Sequence, residues 1–361
     1  MRLKKLNSEE LIELLEIFFA EYDLIAPFKV EQGRLNRVLF RKIRQNNEIP
    51  SIYLKEMPET TPKNFILPRD ERLDFERFNS KREENENSLA RAKTRLFFGV
   101  RSCDLAAIEL FDDVFLDEDY LDPFYESRRE KNIFIGYSNQ ILPPNNFQKE
   151  LEIDYFDHQL APAFIYEDLE ARGREHYWLK IKAGYQFSKD VEAYLDNLET
   201  GEIENLEKLL NDWEDKFTDE TDFEIKNKLP FPEKEVFNQV DWQEPTASCL
   251  GCGVCTYYCP TCFCFDFFWD GSIKNRAWDS CMFSLFTEHA SGHNPREEQH
   301  QRWRQRLLHK FSYHPQNYND KPGCVGCGRC IYKCPVNLDI RNVINAVDKT
   351  IDKGGQASEK R

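Results

Sequence analysis

Long apolar runs are missing from this chain. No stretch of eighteen apolar residues occurs, so no segment reads as a membrane-spanning helix. The N-terminus, MRLKKLNSEELIELLEIFF, has lysines but no uninterrupted apolar core. Glu9, Glu10, Glu13 and Glu16 break it, which excludes a signal peptide or a membrane anchor. A basic excess is missing as well. The formal net charge is −15, whereas a nucleic-acid-binding chain carries a basic footprint. There is no G-x-G-x-x-G after a strand, no Walker loop and no nucleophile elbow. Nothing therefore marks a flavin, nicotinamide or substrate pocket, and no residue is assigned as catalytic.

Cysteine, by contrast, is plentiful. Twelve cysteines without a secretory signal imply a reducing compartment, hence the cytoplasm. Eight of them form two copies of one run: Cys249-x2-Cys252-x2-Cys255-x3-Cys259-Pro260 and Cys324-x2-Cys327-x2-Cys330-x3-Cys334-Pro335. This is the bacterial ferredoxin spacing. Three close cysteines wrap one [4Fe–4S] cube, and the fourth, on chain already leaving the loop, ligates the other cube. The expectation is two [4Fe–4S] clusters: one on Cys249, Cys252, Cys255 and Cys334, the other on Cys324, Cys327, Cys330 and Cys259. A zinc site needs four ligands, usually as two Cys-x2-Cys halves, and these runs over-supply it. Disulfides would require a secreted chain.

The 361 residues suit two domains, and 40% hydrophobic residues support ordinary cores. Residues 1–235 read as a mixed α/β interaction domain. Residues 8–21 form an amphipathic helix capped by Ser8, with Leu11, Ile12, Leu15, Phe18 and Phe19 on one face. Residues 24–30, 37–40 and 64–68 suit strands, and residues 78–91 suit a mobile loop. RLFFGV (95–100), DLAAIELFDDVF (104–115) and NIFIGY (132–137) read as a βαβ unit with a parallel pair. Residues 143–150 break the pattern. Residues 190–227 are helical and acidic, with a stripe of Leu195, Leu198, Leu206, Leu209 and Leu210. LPFPEKEV (229–236) resembles a linker, because two prolines interrupt any element. The cluster domain spans 240–348, and 349–361 read as a disordered tail. The 64 residues between Cys259 and Cys324 include a helix at 297–313, and another helix, N-capped by Asp339, follows the second run. The predicted class is α+β, with a mainly helical dicluster ferredoxin domain rather than the small βαβ type.

Other residues keep two readings each. Cys262, Cys264 and Cys281 suit a third metal centre or a redox thiol pair, or else small buried residues packed behind the clusters. Cys103, at a strand-to-helix turn, is placed for thiolate character or cluster ligation. Its plain alternative is a turn residue beside a local Arg101–Asp104 ion pair. His289 and His293 read as hydrogen-bond donors near the clusters. Arg302, Arg306 and Lys310 share a helix face beside Trp303, Leu307 and Phe311. That face either offsets cluster charge, docks an acidic partner, or is simply solvated.

At this point the residues resemble a known group. TPKNFILPRDERL (61–73), FFGVRSCDLAAIELFDDVF (97–115), DPFYESRRE (122–130) and CLGCGVCTYYCPTCFCFD (249–266) are similar to beta subunits of cytoplasmic NiFe sulfhydrogenases and to their counterparts in anaerobic sulfite reductases. So are RAWDSCMF (276–283), GHNPR (292–296), RLLHKF (306–311) and GCVGCGRCIYKCPVNLDI (323–340). The resemblance implies a wire within a multi-subunit oxidoreductase. It would relay electrons between a flavin/NAD(P)H-binding subunit and a hydrogenase or other reductase catalytic subunit. Sulfite or sulfur reduction is the alternative, and a cluster-based redox sensor a third reading. Family members often carry further cysteines after the Arg-Arg segment. Here that region, GYSNQILPPNNF (136–147), has none; if those cysteines and the one at position 103 build a third cluster in the family, the resemblance implies that this member has lost it and that Cys103 is a remnant.

Overall fold

A computed structural model describes residues 1–32, 35–73, 93–143, 145–168, 176–219 and 223–358. The expected loop at 78–91 lies outside them. Strands β1 (Arg2–Asn7), β2 (Asp23–Gln32), β3 (Leu35–Lys42), β4 (Asp70–Leu73) and β5 (Arg95–Val100) precede β6 (Asn132–Asn139), β7 (Ala163–Asp168) and β8 (His176–Ile181). Two later strands, β9 (Phe265–Asp270) and β10 (Ile273–Trp278), form a hairpin between the cysteine runs.

Seven strands make one sheet in the order β1-β8-β7-β6-β5-β2-β3. Four adjacent strands, β7, β6, β5 and β2, run parallel; β3 pairs antiparallel with β2 on one side, and β8, itself paired antiparallel with β1, pairs antiparallel with β7 on the other. Parallel strands are buried on both faces, so they read as nearly continuous apolar runs. In β5 the side chains alternate between two cores: Leu96 and Phe98 enter one, Phe97 and Val100 the other. The expected βαβ unit is present, with the Ser102–Phe115 helix between β5 and β6.

The first helix, Ser8–Glu21, packs Leu11, Leu14, Leu15 and Phe18 into the first core. Its cap is Asn7, not Ser8. The Asn7 Oδ1 accepts from the backbone N of Glu9 and Glu10, and Glu10 returns a carboxylate to the Asn7 N–H. The acidic helical region splits in two, Lys189–Asn197 and Ile203–Asp219. Leu195 and Leu198 reach one face of the sheet, while Leu206 reaches the other. The chain crosses the sheet edge between them, where Gly201 N donates to Leu3 O.

Three expectations fail locally. Residues 63–66 form a helical turn rather than a strand, opened by Thr61, whose hydroxyl accepts from Lys63 N. The supposed linker has Phe231 fully buried against Phe311, and a helix starts at Glu233. The last helix runs Ile340–Ser358, into the stretch expected to be a disordered tail. Asp339 does cap it, accepting from Arg341 N.

Around the cysteine runs the structure is mainly helical, giving an α+β chain overall. The two halves share material. β4, from the N-terminal part, pairs with β10. Phe147, Leu151, Phe223 and Phe231 join a core with Trp303, Phe311, Val343 and Ile344. Among the described residues no helix is long and apolar enough to cross a membrane.

Candidate metal centre

Each cysteine run folds as the same loop. Glycines stand at the third and fifth positions, and all four adopt left-handed backbone: Gly251 (φ 66°), Gly253 (φ 73°), Gly326 (φ 60°) and Gly328 (φ 75°). One helical turn follows each loop, Val254–Tyr257 and Arg329–Tyr332, and the two turns pack together. The repeated G-C-G inside each run was visible in the sequence and signals this geometry. At Gly326 the need is doubled, because a Cβ would lie 2.5 Å from Gln148 N. Phe147 N donates to Gly326 O at 2.8 Å, docking the second loop on the N-terminal half. Gly326→Ala should therefore cost about 1–3 kcal/mol of stability and loosen the second loop. Urea unfolding with an iron assay reads both effects.

The loops bring their cysteines together across the repeat. Cys334 lines one cavity with Cys249, Cys252 and Cys255, and Cys330 also reaches it. Leu338 N donates to Cys334 Sγ at 3.3 Å. Cys249 Sγ accepts from Gly251 N and from Gln299 Nε2, both at 3.4 Å. On the other side, Thr261 Oγ1 contacts Cys259 Sγ at 3.2 Å and donates to Gly323 O, next to Cys324. Cys252 is exposed, whereas Cys259, Cys324 and Cys327 are buried. Among the described residues no three His, Cys, Asp or Glu side chains converge on a single ion.

Buried cations surround these sulfurs. Lys310 Nζ donates to Cys259 Sγ (3.5 Å), Thr261 Oγ1 (2.8 Å) and Gly323 O (2.7 Å). Arg306 reaches Cys262 Sγ (3.5 Å) and Cys255 O (3.1 Å). Lys63 comes from the N-terminal half. It donates to Cys259 O (3.0 Å) and Cys262 O (2.8 Å) and lies 3.7 Å from the centre of the Trp278 ring. None of the three bonds a carboxylate among the described residues, and Arg306 Nε has no partner there. Burial opposes the Lys310 charge, but the Cys259 and Cys262 sulfurs outweigh it and raise its pKa. Burial pulls Lys63 down to about 8 against the same two sulfurs. A buried cation needs an anion. Clusters held by thiolates would supply it here, so the residues fit an iron–sulfur group. Of the three readings of the Arg302–Arg306–Lys310 face, offset of cluster charge is the one this burial favours.

The remaining thiols divide. Burial raises Cys255 and Cys327 to about 11 each. A hydrogen bond from Cys262, helped by Lys310 and Arg306, holds Cys259 well below its ordinary value. Cys262, Cys264 and Cys281 line a small space beside Arg306 and Lys310, and the Cys264 and Cys281 thiols are hydrogen-bonded. Cys103 is fully buried behind Cys327. Burial and Asp104 push its thiol up, so the helix terminus does not make it a thiolate. The expected Arg101–Asp104 pair is absent. Asp104 instead holds Arg329, and Arg101 donates to Leu54 O. His289 and His293 sit in an exposed turn, with their rings against each other rather than at the cysteines. No local sequence pattern had singled out Lys63, Thr261 or Gln299.

Residues 248–338 match the 4Fe-4S dicluster domain family, and the chain is an iron–sulfur protein. Over 362 residues it is 26% identical to the beta subunit of sulfhydrogenase 2 from Pyrococcus furiosus, covering 96% of this chain and 98% of that subunit. The likeness to sulfhydrogenase beta subunits thus extends over nearly the whole chain.

Proposed function

We propose that this chain is an electron-transfer subunit with two [4Fe–4S] clusters, working in a soluble multi-subunit hydrogenase. It joins a flavin/NAD(P)H-binding subunit to a NiFe catalytic subunit in the cytoplasm, where twelve free cysteines stay reduced. Such clusters, when bound, take up and release single electrons. The observation that carries the reading is the pair of cysteine loops, alike in spacing and backbone, packed against each other beside buried cations. The chain's own residues hold, insulate and charge-balance the clusters. Exposed Cys252 offers one end of the relay to a partner, while the protein covers the other.

Anaerobic isolation of the tagged chain tests this. The expected result is about eight irons per chain and co-purification of a NiFe hydrogenase pair with a flavin subunit. A chain that emerged alone would overturn it. A sulfur-reducing subunit in place of the hydrogenase pair would favour a second reading, an anaerobic sulfite or sulfur reductase. One feature supports that second reading: a cavity of about 520 Å³ lined by Glu109, His158, Lys182, Lys321 and the Cys324 ligand position.

A further inference from the structure

Between their first three cysteines the two loops share every cysteine and glycine, and the one exchange that brings in a charge is at the sixth position. Where the first run has Val254, the second has Arg329, set between Cys327 and Cys330. Arg329 is 3% exposed, and its partner Asp104 is 1% exposed. The contact is bidentate, Nη1 to Oδ1 at 2.6 Å and Nη2 to Oδ2 at 2.8 Å, and Arg329 Nε donates to Pro58 O at 2.9 Å. Asp104 lies in the first turn of the Ser102–Phe115 helix, 225 residues upstream. The same helix holds Lys321, just before the second run, through Glu109 (2.9 Å) and Asp113 (2.8 Å). One helix of the N-terminal half therefore clamps the second loop by charge, and nothing equivalent is built at Val254.

We infer that the Asp104–Arg329 pair sets the reduction potential of the second-run cluster apart from that of the first. The inference rests on the two-cluster reading above. Reduction adds negative charge to a cluster, so a nearby cation favours the reduced form and a nearby anion disfavours it. Arg329 is the nearer member, because it belongs to the ligand loop itself. Asp104 is a positioning residue that aims Arg329 and offsets part of its charge.

The test is an EPR-monitored redox titration of the holoprotein. Asp104→Asn leaves Arg329 without its counter-charge and should raise the second-cluster midpoint. Arg329→Gln strands the carboxylate and should lower it. Each should change the reduced-to-oxidised ratio at fixed potential at least tenfold, about 59 mV for one electron, with the first cluster unmoved. A purely structural salt bridge would weaken folding in both variants without opposite shifts. Two clusters with unmoved midpoints, or with shifts of the same sign, would overturn the inference alone. Iron for a single cluster would overturn the two-cluster reading and the inference with it. Should a single variant fail to fold, the uncharged Asp104→Asn/Arg329→Gln double variant strands no buried charge. Loss of the nearer cation should then lower the second midpoint, and an unchanged midpoint would count against the inference.

Discussion

Cys334→Ser should abolish the same EPR signal as Cys249→Ser, and Cys259→Ser the same signal as Cys324→Ser. Each single substitution should remove about half the iron and leave the other signal intact. The reasoning is spatial. Cys334 belongs to the second run by sequence but lines the cavity of Cys249, Cys252 and Cys255. Cys259 belongs to the first run, yet Thr261 and Lys310 both tie its turn to Gly323, beside Cys324. A Cys334→Ser protein that lost the signal of Cys327→Ser would show that each run ligates its own cluster.

Lys310→Met should destabilise the holoprotein and stabilise the iron-free protein. In the holoprotein the ammonium faces a cluster thiolate. Two unit charges about 6 Å apart at an effective dielectric of about 20 interact by roughly 3 kcal/mol. Iron removal takes away most of the negative charge: Cys255 and Cys327, with pKa values of about 11, regain their protons, and Cys259 keeps thiolate character beside these cations. Lys310, Arg306 and Lys63 are left as three buried cations against that thiolate, and a single buried charge without its partner costs about 3–5 kcal/mol. The iron-free protein should therefore unfold well before the holoprotein, and Lys310→Met should recover part of that loss. Urea unfolding of both forms of both proteins measures this. Equal destabilisation of both forms by Lys310→Met would mean that the side chain matters for packing and not for charge.

What could be read from the sequence follows the range of the forces involved. The cysteine runs, the βαβ unit and the Asp339 cap are local patterns, each confined to one loop, one unit or one helix turn. The spacing of Arg302, Arg306 and Lys310 was legible, but the burial of Arg306 and Lys310 was not, because their partners Cys255, Cys259 and Cys262 lie some fifty residues upstream. Lys63 was invisible for the same reason: its partners lie 196 and 199 residues away. Asp104 had a nearer cation in Arg101, and proximity in sequence suggested the wrong pair. The prolines at 230 and 232 argued for a linker, while Phe231 between them is an anchor whose pocket forms only in the folded chain.

The clamp on the second cysteine loop also has a consequence for biogenesis. Residues 101–115 leave the ribosome more than two hundred positions ahead of Cys324, and N-terminal units fold first during synthesis. Asp104, Glu109 and Asp113 thus form a cradle that waits for the chain's final third. A polypeptide that stops short of Lys321 leaves Asp104 facing a space built for a cation it never receives. Such a chain carries a buried carboxylate without its partner, at a cost of about 3–5 kcal/mol.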